Sequence, residues 1–403
     1  MAIKVRIFKE NNIRLWGLSS RERLGRMLAK AGVKDFLEDA GPVAEEDSVL
    51  LLRGDFLYDQ RIIQNMVGCV GIVMEADTSR GPRPVAAHVS GELASRMEAI
   101  LTEEEAGGVC PEGLRHESPE TLVSAYQKDL RKFDIPYLMP VSAQSRRSLE
   151  KRLFDGSYKG VTDLVTKWLW PTPARWATGF CARHGISPNQ VTTLSLVLSA
   201  LAVLMFYKGF YATGLLMAWS MTFLDTVDGK LARVTLNYST FGNTYDHAID
   251  LVFPPVWYVM WALSLQSLPL ISTEFAIQVV LAGYVAGRLV EVVFKQFLES
   301  SGIFCWQPID SCFRLITGRR NPNLVLLTVC LFFNRPDIGL LTVCLWTVLS
   351  SIFLVARLVM GVQARIKSGP LRSWFLDVDP TDDSLSVYQR WFCRRPKVDK
   401  GYE

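Results

Sequence analysis

The distribution of apolar and polar positions divides this chain near residue 187. Before that point apolar residues come in short periodic groups. Leu24, Met27, Leu28 and Ala31 lie at helical spacing, with Ser19 and Glu22 in capping-box register and Gly32 as the stop, which predicts an amphipathic helix over residues 19–31. Apolar runs at 49–52 and 70–74 read as strands, with a helical stretch over 59–67 between them. Residues 84–89 and 137–141 are further strand candidates. Strands alternating with helices predict a soluble α/β domain with a small, mainly parallel sheet across residues 1–142.

Beyond residue 187 the groups lengthen into six apolar segments, at 190–207, 211–227, 242–264, 274–297, 323–333 and 338–363. Spanning about 30 Å of hydrocarbon takes about 20 helical residues. Five segments are adequate or nearly so, and 323–333 is short. The expectation is a six-helix membrane domain at 187–368, followed by a charged tail at 369–403. An even number of spans leaves both ends on one side. If that side is the cytoplasm, the inner loops hold Lys230, Arg233, Arg314, Arg319, Arg320, Arg365, Lys367 and Arg372, and the outer turns only Lys208 and Arg335. The positive-inside rule therefore predicts a multi-pass protein of the inner (cytoplasmic) membrane with cytoplasmic N- and C-termini. The connector at 143–186 mixes Trp168, Trp170, Trp176 and Phe180 with Arg146, Arg147, Lys151, Lys167 and Arg175, the composition of an amphipathic helix lying on membrane lipids.

Composition adds little to this division. The 403 residues are 49% hydrophobic and 21% charged, and a net charge of +4 gives no case for nucleic acid. Eight cysteines form no CxxC pair and no zinc-like spacing with the four histidines, so they read as free thiols. Residues 1–7 lack the apolar core of a secretory signal.

The chemistry concentrates between the second and third apolar segments. There the chain reads Asp225-Thr-Val-Asp228-Gly229-Lys-Leu-Ala232-Arg233 and, eight residues later, Gly242-Asn-Thr-Tyr-Asp246-His-Ala-Ile-Asp250. Four carboxylates in apolar surroundings are costly unless neutralised, which marks them as functional. Asp225 and Asp228 are three apart and Asp246 and Asp250 four apart, so each pair shares a helix face and two antiparallel helices bring the pairs together. The result is a hard oxygen site suited to Mg²⁺ or Mn²⁺. Two such ions about 4 Å apart would grip a diphosphate and stabilise a departing nucleotide. Gly229, Ala232 and Gly242 leave room for close approach, and Arg233 offers a bidentate contact to phosphate. A calcium loop of the EF type needs acids at alternate positions, which this spacing lacks. A metal-binding transporter or a membrane scaffold is the alternative from another class, and an ion path in a transporter does not account for the glycines and Arg233. His247 points about 100° away from Asp246 around the helix and reads as a neighbour rather than a ligand.

The spacing Asp-x2-Asp-Gly-x2-Ala-Arg-x8-Gly-x3-Asp-x3-Asp resembles the signature of the CDP-alcohol phosphotransferases at every fixed position, and the likeness runs over about residues 158–366. Ser187-Pro188-Asn189-Gln-Val-Thr192 resembles that family's entry to its membrane core. The resemblance implies that Asp225, Asp228 and Asp246 are metal ligands. It further implies that Asp225, Gly229, Ala232, Arg233 and Gly242 form the CDP site and that Asp250 is the general base while also touching the metal. It implies a homodimer as well. The order of elements in the first half, with Leu52-Arg53-Gly54-Asp55 closing a strand, is similar to the Rossmann-like nucleotidyltransferase domain fused to inositol-phosphate-handling members. Such domains open with a strand and a glycine-rich phosphate loop; residues 1–12 provide no such loop, so a structural or regulatory relic is expected.

An acceptor alcohol with its own phosphate needs cations near the metal site. Arg288 and Lys295 lie in the fourth segment with Glu291 between them, Arg319 and Arg320 precede the short fifth, and Arg357 lies near the inner end of the sixth. Asn321 as cap and Pro322 as first helical residue would aim free N–H groups at an anion. The activity expected is therefore metal-dependent, CMP-releasing transfer of a phosphatidyl group from CDP-diacylglycerol to a polyol or polyol phosphate. Transfer from a soluble CDP-polyol such as CDP-inositol is the runner-up.

Overall fold

A computed structural model describes residues 2–37, 44, 46–78, 81–102, 110–378 and 386–393. In the first half β1 (Ile3–Phe8) leads into α1 (Ser20–Lys30), whose cap is the expected reciprocal pair: Glu22 N donates to Ser19 Oγ and Ser19 N to the Glu22 carboxylate. Gly32 follows at φ +87°, where a side chain would be strained. Then come β2 (Ser48–Arg53), β3 (Phe56–Tyr58), α2 (Gln60–Val67), β4 (Ile72–Thr78), β5 (Gly81–Ser90) and α3 (Gly91–Thr102). Short pieces complete this half: β6 (Arg115–Glu117), α4 (Pro119–Leu122), β7 (Tyr126–Gln127), β8 (Lys132–Phe133) and β9 (Leu138–Pro140).

The main sheet has the order β1-β2-β5-β4-β6. It is mixed, which corrects the mainly parallel expectation: β1–β2 and β4–β6 are parallel, whereas β5 runs antiparallel to both β2 and β4. Residues 79–80, between β4 and β5, are too few for a crossover helix, so the two strands return as a hairpin. The sheet is covered on both faces, which explains why β2 is buried along its whole length and reads as a continuous apolar run. The strand at 137–141 is real, but it pairs with β3 in a separate ribbon.

The connector forms α5 (Arg146–Gly156) and α6 (Pro171–Arg183). Trp168, Trp176 and Phe180 are exposed. The second half is helical: α7 (Pro188–Tyr207), α8 (Tyr211–Val234), α9 (Thr240–Ser264), α10 (Thr273–Phe297), α11 (Pro308–Arg314), α12 (Arg320–Phe332) and α13 (Pro336–Ser368). All six expected segments are helices, but three of them, α7, α10 and α13, are long and apolar enough to cross a membrane by length and composition. The others fall short for identifiable reasons. Acids and bases dilute the hydropathy of α8, acids and a proline pair that of α9, and α12 has only 13 residues.

Helix α7 packs along α8 and α9, α10 packs along α13, and α12 lies between α8 and α13. Their shared core centres on Trp257, Trp261, Phe206 and Leu324. Residues of the expected tail that are described, including the short α14 (Val387–Phe392), fold back rather than trail. Trp374, Phe375, Phe392 and Cys393 are buried with Phe133 and Phe294.

Candidate active site

Asp225 and Asp228 lie three apart on α8, and Asp246 lies in the second turn of α9. The intervening turn ends where Ser239 caps α9 through its Oγ, which accepts from Gly242 N at 2.9 Å. Gly242 has a tighter reason to be glycine than nucleotide access. A Cβ there would stand 2.5 Å from Asn189 Oδ1 and 2.7 Å from the capping Ser239 Oγ. The turn from α8 into α9, with α7 packed along both helices, brings one carboxylate oxygen each from Asp225, Asp228 and Asp246 within 4.8 Å of one another.

Thr192 of α7 adds a contact that the sequence reading did not assign. Its Oγ1 donates to Asp228 Oδ2 at 2.6 Å, fixing that carboxylate from behind. The signal was present in the entry segment, where Asn189 and Thr192 lie three apart on one face; both line the same cleft as Asp228.

Asp250 stands apart from the three-carboxylate cluster. Its Oδ1 pairs with Arg320 Nη1, while Arg320 Nη2 reaches Asp225 Oδ2 at 2.5 Å. One guanidinium thus bridges both acid-bearing helices. His247 is also outside the cluster, with Nδ1 3.7 Å from Asp246 Oδ2.

The cations expected to serve an acceptor divide. Arg288 and Arg319 both approach Glu291, Arg288 at 3.9 Å and Arg319 in a close two-point pair, and the three line a niche of about 20 Å³. Arg320 has turned to the aspartates. Lys295 is exposed and takes no part in the niche. Arg357 is engaged elsewhere: buried, it donates to Asp310 at 2.5 and 2.8 Å and to Gln307 at 2.7 Å, clamping α11 to α13. The start of α12 also differs from expectation. Arg319 is the cap residue, without a side-chain cap bond, and Pro322 is the third helical residue. Asn321 is buried and spends its amide on Asp163 Oδ1 and Thr166 Oγ1.

A cleft of about 510 Å³ opens over the aspartates. Asp228, Gly229, Ala232, Arg233, Gly242 and Asp246 form one side, so of the residues expected at the nucleotide site Gly229, Ala232, Arg233 and Gly242 share one cavity and Asp225 is not part of its lining. Arg233 donates to the Ser157 carbonyl at 3.2 Å, which ties the cleft to the end of α5. Lys159, two residues on, is open to the cleft and hemmed in by protein on its other sides. Burial first, and then repulsion from Arg233 and Arg131, pushes its ammonium down to about 8.

Residues 185–363 match the family model of the CDP-alcohol phosphatidyltransferases. This part of the chain belongs to that family. The archaetidylinositol phosphate synthase of Pyrococcus horikoshii is similar to it, at 40% identity over 70 residues. That match takes in 17% of this chain and 37% of the synthase, so most of either protein lies outside it. The family is one of transferases, and three of the helices within or overlapping the matched region are long and apolar enough to cross a membrane. A CDP-alcohol phosphatidyltransferase generally depends on divalent metal. The three-aspartate cluster fits such an ion, since every clustered donor is a carboxylate oxygen and the nearby histidine lies outside the cluster.

Proposed function

We propose that the protein transfers a substituted phosphate from a CDP-linked donor to a polyol or polyol-phosphate hydroxyl, releasing CMP. The observation that carries this reading is the convergence of Asp225, Asp228 and Asp246, the last two lining a cleft together with Gly229, Arg233 and Gly242, inside the family-matched region. Divalent ions held by these aspartates supply neutralisation of the donor diphosphate and of the departing CMP. The chain's own groups do the rest. Arg233 stands beside the cleft to bind phosphate oxygens, and Thr192 keeps Asp228 in place. The acceptor oxygen bonds to the donor phosphorus distal to cytidine, the bond from that phosphorus to CMP breaks, and the hydroxyl proton passes to Asp250. Arg320, which contacts Asp225 and Asp250 together, orients the base relative to the metal ligands.

For the acceptor phosphate, the Arg288–Glu291–Arg319 niche is the candidate. At about 20 Å³ it holds little more than a water, so an anion has to displace Glu291 from Arg319 to enter. A relative named for synthesis of archaetidylinositol phosphate favours a lipid-linked CDP donor and an inositol phosphate acceptor. A soluble CDP-polyol donor is the second reading, favoured by the polar face that the α/β domain presents to the cleft. All six helices α7, α8, α9, α10, α12 and α13 are taken to cross the bilayer, with both termini cytoplasmic.

The test is purified full-length chain with CDP-diacylglycerol or CDP-inositol, a panel of polyols and their phosphates, and Mg²⁺ or Mn²⁺. CMP should appear with one pairing and vanish on chelation. No metal-dependent CMP from any pairing would sink the assignment.

A further inference from the structure

The α/β domain meets the helical half at several places, and one of them grips the aspartate motif. Arg23, Arg26 and Lys30 lie three and four residues apart on one face of α1. Buried Arg23 donates through Nη2 to the Leu15 carbonyl at 2.9 Å and to the Val234 carbonyl at 3.0 Å. Arg26 donates to the Thr235 carbonyl at 2.5 Å, and Lys30 Nζ lies 4.1 Å from the centroid of the Tyr238 ring. Carbonyls 234 and 235 end α8, the helix that carries Asp225 and Asp228, so α1 supplies cations to the negative end of that helix. The turn it grips joins the two halves of the aspartate motif.

This joint carries a second part of the domain over the cleft. Gln60 and Gln64 of α2 and residues 126–130 line the cavity opposite Asp228, Gly229 and Arg233. Arg61 fixes that wall: paired with Asp59 at 2.7 Å, it also donates to the Ser124 and Asp134 carbonyls at 2.9 and 3.0 Å. The side chains of Gln60, Gln64 and Lys128, by contrast, make no hydrogen bond or ion pair among the described residues, and Gln64 and Lys128 are exposed to the cleft. Held polar groups with unused donors, facing a cavity within the about 300–1,000 Å³ range of small-molecule sites, are poised for a ligand. The domain's own candidate phosphate loop offers no rival site. The segment between β1 and α1 has Gly17 as its one glycine, and Leu15, Leu18, Met27, Phe56 and Tyr58 leave only about 10 Å³ beside it.

We infer that the α/β domain is the outer wall of the donor site, with Gln60, Gln64 and Lys128 contacting the nucleoside side of a nucleoside-diphosphate donor whose diphosphate lies over the aspartates. The inference rests on the CDP-donor reading above. An amide provides a donor and an acceptor for the edge of a pyrimidine, and an ammonium provides a donor for a ribose or phosphate oxygen. The domain thus acts in recognition and performs no nucleotidyl transfer of its own.

The experiment is CMP binding to the full-length protein with Mg²⁺, measured by equilibrium dialysis beside steady-state kinetics. In the double variant Gln64→Ala, Lys128→Ala, both at exposed positions, CMP affinity should fall about tenfold and the donor KM rise in step. Its kcat and acceptor KM should stay within about twofold of the parent, and Lys128→Arg alone should keep most of the affinity. A parent that binds CMP and a double variant that binds it equally well would overturn the wall while leaving the transferase reading intact. A parent that binds no CMP and releases none would overturn the transferase reading and the inference with it.

Discussion

Asp228 is set apart from its neighbours in the aspartate cluster by the hydroxyl of Thr192, which donates to it from another helix. Supporting contacts of this kind typically change metal affinity or activity 10- to 100-fold. Thr192→Val keeps the shape and removes the donor, so the variant should need about 10- to 100-fold more Mn²⁺ for half-saturation, read by Mn²⁺ paramagnetic resonance and by CMP release. Unchanged Mn²⁺ binding would show that Asp228 needs no such support. At this scale the sequence was most readable where chemistry constrains spacing. Acids placed three apart on one helix share a face by helical geometry alone, as Asp225 and Asp228 do, and Asp246 joins them from the next helix while Asp250, four residues on, does not. Asp250 and the arginines were less readable, because their partners are chosen by tertiary packing. Nothing local says that Arg357 will find Asp310, 47 residues away, or that Arg320 will bridge residues 70 and 95 positions distant.

Among the elements, α9 shows how a helix start becomes part of a site. Ser239 caps it, Gly242 lets Asn189 of α7 come close, and Asp246 follows one turn later. Gly242→Ala puts a methyl carbon where Asn189 Oδ1 and Ser239 Oγ now lie, so stability should fall by about 1–3 kcal/mol. Thermal unfolding in detergent measures that loss, and an unchanged midpoint would show that Asn189 simply turns aside. The capping box of α1 was legible because it is local, two side chains three residues apart. Strand β1 was missed although Ile3, Val5 and Ile7 alternate with Lys4 and Arg6, because its partner β2 begins 45 residues later. Sheet direction was misjudged for a related reason: the hairpin return between β4 and β5 depends on a connection too short to hold a helix, which an alternation of elements does not reveal.

For the whole molecule, the proposed six crossings and cytoplasmic ends make a directional statement. The connection between α9 and α10 belongs on the outer side, and Leu270 within it is 81% exposed. Leu270→Cys, in a chain whose eight native cysteines are replaced, should react with an impermeant thiol reagent added from outside and be spared by the same reagent confined inside. Labelling from the inside would reverse the orientation. The division into a polar first half and an apolar second half was plain from the sequence, whereas the return of the tail was not. Phe375 stacks on Tyr126 with ring centroids 5.6 Å apart, and Tyr126 is part of the cleft's outer wall. That contact sets an order of events during synthesis. The wall is translated early and the ring that backs it arrives about 250 residues later, after every helix of the bundle has been made. A growing chain therefore has its aspartates made while the cleft is still unfinished, and the outer wall gains its backing only once Phe375 has been added.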